Sequence, residues 1–240
     1  MAVKKGILYL IPTTLGESKP EWVIPSGVLA NSRRLKHFIA ENERSARRYL
    51  KAIGTEHPLD ELEFFILDKR SKAVDIPQMI APLLQGTDMG LISEAGLPGI
   101  ADPGALAVAA CHQNKIKVVP GTGPSSIVLA LIASGFNGQE FSFHGYLPMN
   151  KKDRLHKLRT LENEIRKSGA TQIFMETPFR NESLFEDLMN HCAPGTEICV
   201  ATDITLQSEV ITTRTVDEWI KHPPKIDKRP CIFLMGVSRL

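Results

Sequence analysis

This 240-residue chain has few aromatics, 6 % of its residues, and almost no charge imbalance, with a formal net charge of +2 at pH 7. Few rings mean a core built mostly from aliphatic side chains. Near neutrality removes any global basic field that would advertise nucleic acid, though a local patch stays possible. Only four cysteines occur, Cys111, Cys192, Cys199 and Cys231. They form no CxxC pair and no Cys/His cluster with zinc spacing, so no metal is expected. Scattered thiols without a signal-peptide pattern point to a reducing cytoplasm, with each thiol a small buried apolar residue. No apolar run reaches the roughly 18–20 residues of a membrane helix, so no membrane association is expected. There is no GxSxG elbow, no HExxH, no GxGxxG and no P-loop lysine. The seven histidines share no motif and read as surface or hydrogen-bonded residues.

What is present is a set of strand–loop–helix units whose polar and small residues gather at strand exits. Residues 5–11 and 89–92 are short apolar runs, the pattern of buried parallel strands. Further strands are expected at 39–40, 63–67 and 115–119. Helices are expected over 41–53, over 75–84 with Pro77 in the first turn, and from 105 onward. Strands alternating with helices argue for a parallel sheet. The second half repeats the style, with strands at 141–147, 171–175, 197–203, 209–215 and 230–236. Helices are expected over 151–167, 184–188 and 216–221. The alternation in 209–215 predicts a mixed sheet there. The expected domains are 1–119 and 120–240, two α/β units.

The chain is organised around residues 90–104, Gly-Leu-Ile-Ser-Glu-Ala-Gly-Leu-Pro-Gly-Ile-Ala-Asp-Pro-Gly. Small residues let backbone approach a ligand, and Asp102 stands where an N-cap oxygen belongs. Loops at the carboxyl ends of parallel strands are where ligands bind. A second Gly/Pro loop, Pro120 to Ser126, opens another helix and offers backbone N–H groups to an anion or carboxylate. Arg33, Arg34, Arg44, Arg47, Arg48 and Lys51 form a basic stretch. It reads as a solvated helix face or as a patch for an anionic substrate.

Ile92-Ser93-Glu94-Ala95-Gly96-Leu97-Pro98 with Ala101-Asp102-Pro103-Gly104 resembles the "SDAGTP…DPG" signature of the ribosomal RNA 2′-O-ribose methyltransferases of the tetrapyrrole-methylase superfamily. The resemblance runs along nearly the whole chain. Residues 8–13 with Leu15-Gly16 are similar to "PTPIGN" and its strand. Ala40 to Arg44 resembles "AEDTR", and 118–126 resembles "RVVPLPGPCA". Gly145 to Pro148 matches "GFLP", and Ile173 to Arg180 matches "IFYESTHR".

The resemblance implies two α/β domains with S-adenosylmethionine in the cleft between them. It implies Ser93, Glu94, Ala95 and Gly96 as cofactor-binding from the first domain, with Pro12 and Thr13 facing the cleft. Ser125 and Ser126 would approach from the linker, and Met175, Ala201 and Pro230 from the second domain. Glu41, Arg44, Glu176 and Arg180 are implied in substrate handling, with Glu41 or Glu176 as base for a hydroxyl proton. It further implies ribosomal RNA or the small subunit as partner, a homodimer and a cytoplasmic enzyme. Departures weigh more on the substrate side than on the cofactor side. The family's "HDHNE" segment should lie near Leu67 to Ser71, without its histidine and asparagine. Glu94 stands for Asp and Leu97 for Thr. A tetrapyrrole or other small acceptor, and a non-catalytic cofactor-binding module, are the competing expectations.

Overall fold

The computed structural model describes residues 4–238, which divide after Ser125 into two compact units. The first runs β1 (Ile7–Ile11), α1 (Pro20–Val23), α2 (Ser26–Arg33), β2 (His37–Ala40), α3 (Glu43–Ile53), β3 (Glu63–Ile66), α4 (Ile76–Met79), α5 (Ala81–Leu84), β4 (Met89–Ile92), α6 (Gly104–Gln113) and β5 (Lys117–Pro120). The second runs α7 (Ser126–Ser134), β6 (Phe141–Tyr146), α8 (Lys151–Ser168), β7 (Thr171–Met175), α9 (Asn181–His191), β8 (Glu197–Thr202), β9 (Val210–Thr215), α10 (Val216–Lys221) and β10 (Cys231–Gly236).

The first sheet has strand order β3-β2-β4-β1-β5, all parallel. Its strands are apolar because helices cover both faces. Leu8, Ile39, Met89 and Leu91 pack against Ile76, Ile80 and Leu83, together with Ala107 and Cys111 of α6. On the other face Ile11, Phe38 and Ile92 pack against Leu29, Ala46 and Leu50. Gly90 sits in the central strand because a Cβ there would lie 2.4 Å from Ile11 Cδ1 and 2.8 Å from Phe38 Cδ1.

One element differs from the sequence reading. The helix expected over 75–84 is two short helices separated at Ile80. Pro82 lacks the N–H that would continue the ladder to Gln78, so the chain restarts its turn there. Two others, α1 and α2, went unread. Pro25 interrupts the pair, and α2 buries only Leu29 and Ser32, too little to print a helical stripe.

The second sheet has order β6-β7-β10-β8-β9. β6 and β7 are parallel while β10, β8 and β9 pair antiparallel, so the sheet is mixed, as expected. Phe174, Ile198, Val200, Phe233 and Met235 face α8, α9 and α10. The alternate residues face α7: Thr213 Oγ1 donates to Ser134 O at 2.7 Å, and the Phe136 ring just beyond α7 closes over Gly236. All four cysteines are free and buried. Burial pushes the Cys192 thiol up to about 12 and the other three to about 11, consistent with thiols acting as small apolar groups. His144 bonds Gln172 Oε1 at 2.7 Å and is held below its ordinary range by burial.

Candidate active site

All five strands of the first sheet end at one edge. The chain leaves β1 and β2 over the α1–α3 face and leaves β3 and β4 over the α4–α6 face. β4 leaves over the face opposite to both of its neighbours, β1 and β2, so its carboxyl end lies at a topological switch point, where open α/β sheets bind ligands. Register makes the placement specific. Ile92 pairs with Ile11 on one side and Ala40 on the other, so the next residues, Pro12 and Glu41, flank Ser93.

The two exit loops are tied together. Thr13 N–H donates to Gly96 O at 2.9 Å, and the Ser93 hydroxyl donates towards the same carbonyl at 3.3 Å. Gly96 has φ +72°, and a Cβ there would come within 3.0 Å of Leu15 and 3.1 Å of Pro124 O. Only glycine takes that turn without strain. The buried Tyr49 hydroxyl of α3 donates to Pro12 O at 2.8 Å, and burial pushes its pKa up. Asp102 anchors the rest of the β4 loop. Its carboxylate accepts Gly104 N–H at 2.7 Å and Gly99 N–H at 2.9 Å. Asp102 therefore meets the first N–H of α6, although the cap position itself falls on Pro103. Burial raises its pKa despite those two donors. Asp102→Ala leaves both N–H groups without their acceptor, a cost of about 1–3 kcal/mol. The expected result is a thermal midpoint lower by roughly 3–10 °C, read by calorimetry. An unchanged midpoint would show that the loop holds without its carboxylate.

Against these loops lies a pocket of about 340 Å³ lined by Thr13, Gly16, Ser18, Arg48, Ser93, Glu94 and Ala95 among others. Among the described residues, Thr13 Oγ1 and Ser18 Oγ are buried without hydrogen-bond partners, and both residues line this pocket. Buried hydroxyls without partners are costly in a closed protein and natural where a polar ligand supplies the bond. Small residues and two unsatisfied hydroxyls suit a polar ligand.

The carboxylates at this edge share one field. Glu94 accepts from the Ser45 hydroxyl. Glu41 is partly buried and makes no hydrogen bond among the described residues. Its pKa is raised by burial first, then by the charges of Glu94 and Asp102. Arg44 is exposed on the first turn of α3, whose N-terminus is capped by Asn42. Where the family's "HDHNE" would fall, the chain builds a closed turn instead. Asp68 accepts from Arg70 N–H at 2.8 Å and Ser71 N–H at 3.1 Å, and the Arg70 bonds hold its carboxyl low.

The basic stretch does not form one rim. Arg33 donates to Ile53 O, Arg47 pairs with Glu43 and reaches Leu59 O, and Arg34 pairs with Asp88 at the opposite edge of the sheet. Of the six, Arg48 lines the pocket. Sequence reasoning missed Tyr49, Ser45 and Ser18. Tyr49 falls inside the helix expected over 41–53, and the available signal was its hydroxyl, which needs a partner when buried.

In the second unit, cross-strand register sets Met175 and Ala201 on either side of Ile232, in one row on the α7 face. Pro230 lies two residues before Ile232, and its carbonyl accepts Asp203 N–H at 3.0 Å. Ser125 is buried at the end of the first unit, and Ser126 opens α7. Glu176 is buried, accepts Thr177 N–H at 2.7 Å, and is ion-paired with Arg180. Such a carboxylate closes a local turn and has its charge already matched.

The family model described as Tetrapyrrole (Corrin/Porphyrin) Methylases matches residues 27–219. The chain is 30 % identical over 233 residues to "Ribosomal RNA small subunit methyltransferase I" of Haemophilus influenzae, covering 96 % of this chain and 78 % of that protein. The methyltransferase CobJ superposes with a TM-score of 0.63 at 16 % identity, over 97 % of this chain and 95 % of its own. The uroporphyrin-III-C-methyltransferase of Thermus thermophilus superposes with a TM-score of 0.54 at 15 % identity, over 97 % and 94 %. At such identities the two solved structures speak to the fold alone.

Proposed function

The chain belongs to the tetrapyrrole methylase family and is a methyltransferase, and from that premise we propose that it methylates a ribose 2′-hydroxyl of small-subunit ribosomal RNA using S-adenosylmethionine. The observation that carries the reading is the β1/β4 crevice, where the Thr13 and Ser93–Gly96 loops meet beside two unsatisfied hydroxyls and a free carboxylate. The ribosomal RNA acceptor is favoured over a tetrapyrrole by the 30 % identity to the Haemophilus protein across nearly the whole chain. The uroporphyrin-III-C-methyltransferase shares the fold at half that identity.

Thr13, Ser93, Glu94, Ala95 and Gly96, with Pro12, hold the cofactor from the first unit in this proposal. Ser125, Ser126, Met175, Ala201 and Pro230 are the further cofactor residues that the family resemblance implies. When bound, the cofactor supplies an electrophilic methyl group on a sulfonium. The carboxylate of Glu94 favours positive charge at this edge. Glu41 would take the proton of the ribose hydroxyl, leaving its oxygen free to accept the methyl group that the bound cofactor would supply. A carboxylate raised above its ordinary range is better matched to that task than an unperturbed one. Such an enzyme works in the cytoplasm, where small subunits are assembled, and as the homodimer the family resemblance implies.

The test is incubation with methyl-labelled cofactor and small subunits lacking ribose methylation. The expected label sits in the RNA, at one linkage made resistant to alkali because its 2′-oxygen is capped. Label passing only to a porphyrin-type acceptor would reassign the substrate. Cofactor binding without transfer to either would overturn the assigned reaction.

A further inference from the structure

A second cavity of the first unit lies at the other end of the strands. It is an open cleft of about 620 Å³ at the amino edge, where β1, β4 and β2 begin. A four-residue strand spans about 13 Å, so this cleft is distinct from the β1/β4 exit loops. Its charged lining is Lys4, Lys5, Arg34 and Lys36 with His37, against the single carboxylate Asp88. That carboxylate is already satisfied: Oδ1 accepts Ile7 N–H at 2.8 Å and Oδ2 accepts from Arg34 at 3.1 Å. Arg34 is held in place by the Tyr9 hydroxyl at 2.8 Å and lies over its ring at 5.0 Å. Lys36 reaches outward to Glu61 at 3.3 Å. Lys4 forms no ion pair among the described residues. Lys5 spends one donor on Asn114 O and keeps two.

His37 gives a second, independent indication. Its Nε2 faces Glu63 at 3.4 Å, while Nδ1 is buried without a hydrogen-bond partner among the described residues. With Nε2 turned to Glu63, Nδ1 is the ring nitrogen left for a ligand. No aromatic face is presented in the lining to stack a base. The cleft thus offers cationic donors in a concave surface and little else.

We propose that this amino-edge cleft binds phosphate groups. They come either from an RNA backbone or from a free oligophosphate, and the chemistry recognised is the same. Lys4 and Lys5 supply the mobile charge, and Arg34 and His37 are the fixed walls. Nothing in the proposal depends on which acceptor the enzyme methylates.

The test compares Lys4→Ala/Lys5→Ala with a control pair of exposed lysines in the second unit, Lys221→Ala/Lys225→Ala. Arg34 is left intact because its removal would uncover Asp88. Tripolyphosphate is titrated by calorimetry, and a labelled single-stranded RNA by anisotropy across a salt series. Thermal midpoint and cofactor affinity are expected to stay unchanged. The Lys4/Lys5 pair should weaken tripolyphosphate binding about tenfold or more, and the control pair less than about twofold. If RNA is the source, its affinity falls in parallel and the salt slope shrinks by about 1.4, two contacts' worth for a single strand. RNA affinity unchanged while tripolyphosphate is lost identifies a free anion. Absence of tripolyphosphate binding by the parent protein overturns the proposal. So does equal loss, or no loss, in the two variant pairs.

Discussion

Ala95→Trp is expected to lower affinity for S-adenosylmethionine at least about 100-fold, roughly 2.7 kcal/mol of binding energy, while leaving the thermal midpoint in place. Ala95 is exposed at the exit of β4 and borders the 340 Å³ pocket beside Thr13 and Ser93. Its methyl group supports no core contact, so a larger side chain there has no packed neighbour to displace. An indole would instead occupy the space that the proposed site reserves for the cofactor. Backbone cradles are sensitive to added bulk in this way, because the ligand is held by groups that cannot move aside. Ala95→Ser, which adds one oxygen, should bind nearly as well as the parent. Calorimetric titration with the cofactor and with its demethylated product reads both variants. Equal affinity of Ala95→Trp and the parent would remove this crevice from the cofactor's site.

The strands that build the crevice were legible in the sequence for a simple reason. A parallel strand covered on both faces must be apolar throughout, and Ile7–Ile11 and Met89–Ile92 are. The loop after β4 was legible because its Gly, Pro and Asp residues answer local demands. Gly96 takes a left-handed turn, and Asp102 closes on Gly99 and Gly104 within five residues. What escaped depends on contacts between distant segments. Tyr49 lies 37 residues from the carbonyl it caps, and Ser45 lies 49 from Glu94. The scattering of the arginines escaped for the same reason. Arg34 is adjacent in sequence to Arg33, yet it crosses to Asp88 while Arg33 turns back to Ile53. Neighbours on a chain share a patch only if their helix keeps them on one face, and α2 ends at Arg33.

Glu41→Gln should lower kcat for methyl transfer by about 10²- to 10⁴-fold with the cofactor's Kd little changed, the range for losing a general base. The amide keeps the shape of the side chain and removes its ability to take a proton. Between the two carboxylates that could serve as base, the proposal takes Glu41. Glu176 is buried and its Oε1 is already engaged by Arg180 and by the Thr177 N–H. Glu41 stands beside Ser93 at the switch point with no bonded partner among the described residues. The pH dependence supplies a readout that a structural role would not move. The base must be ionised, so activity is low below its pKa and rises through it. Burial and the charges of Glu94 and Asp102 place that rise above the ordinary carboxylate range. Glu94→Gln removes one of the raising charges, so the rise should shift to lower pH even if cofactor affinity also drops. Low salt should enlarge the shift, because Glu94 is exposed and its field is screened. A rise that stays in place in Glu94→Gln, or a Glu41→Gln enzyme with full kcat, would move the proton acceptor away from this carboxylate and onto the RNA's own groups or solvent.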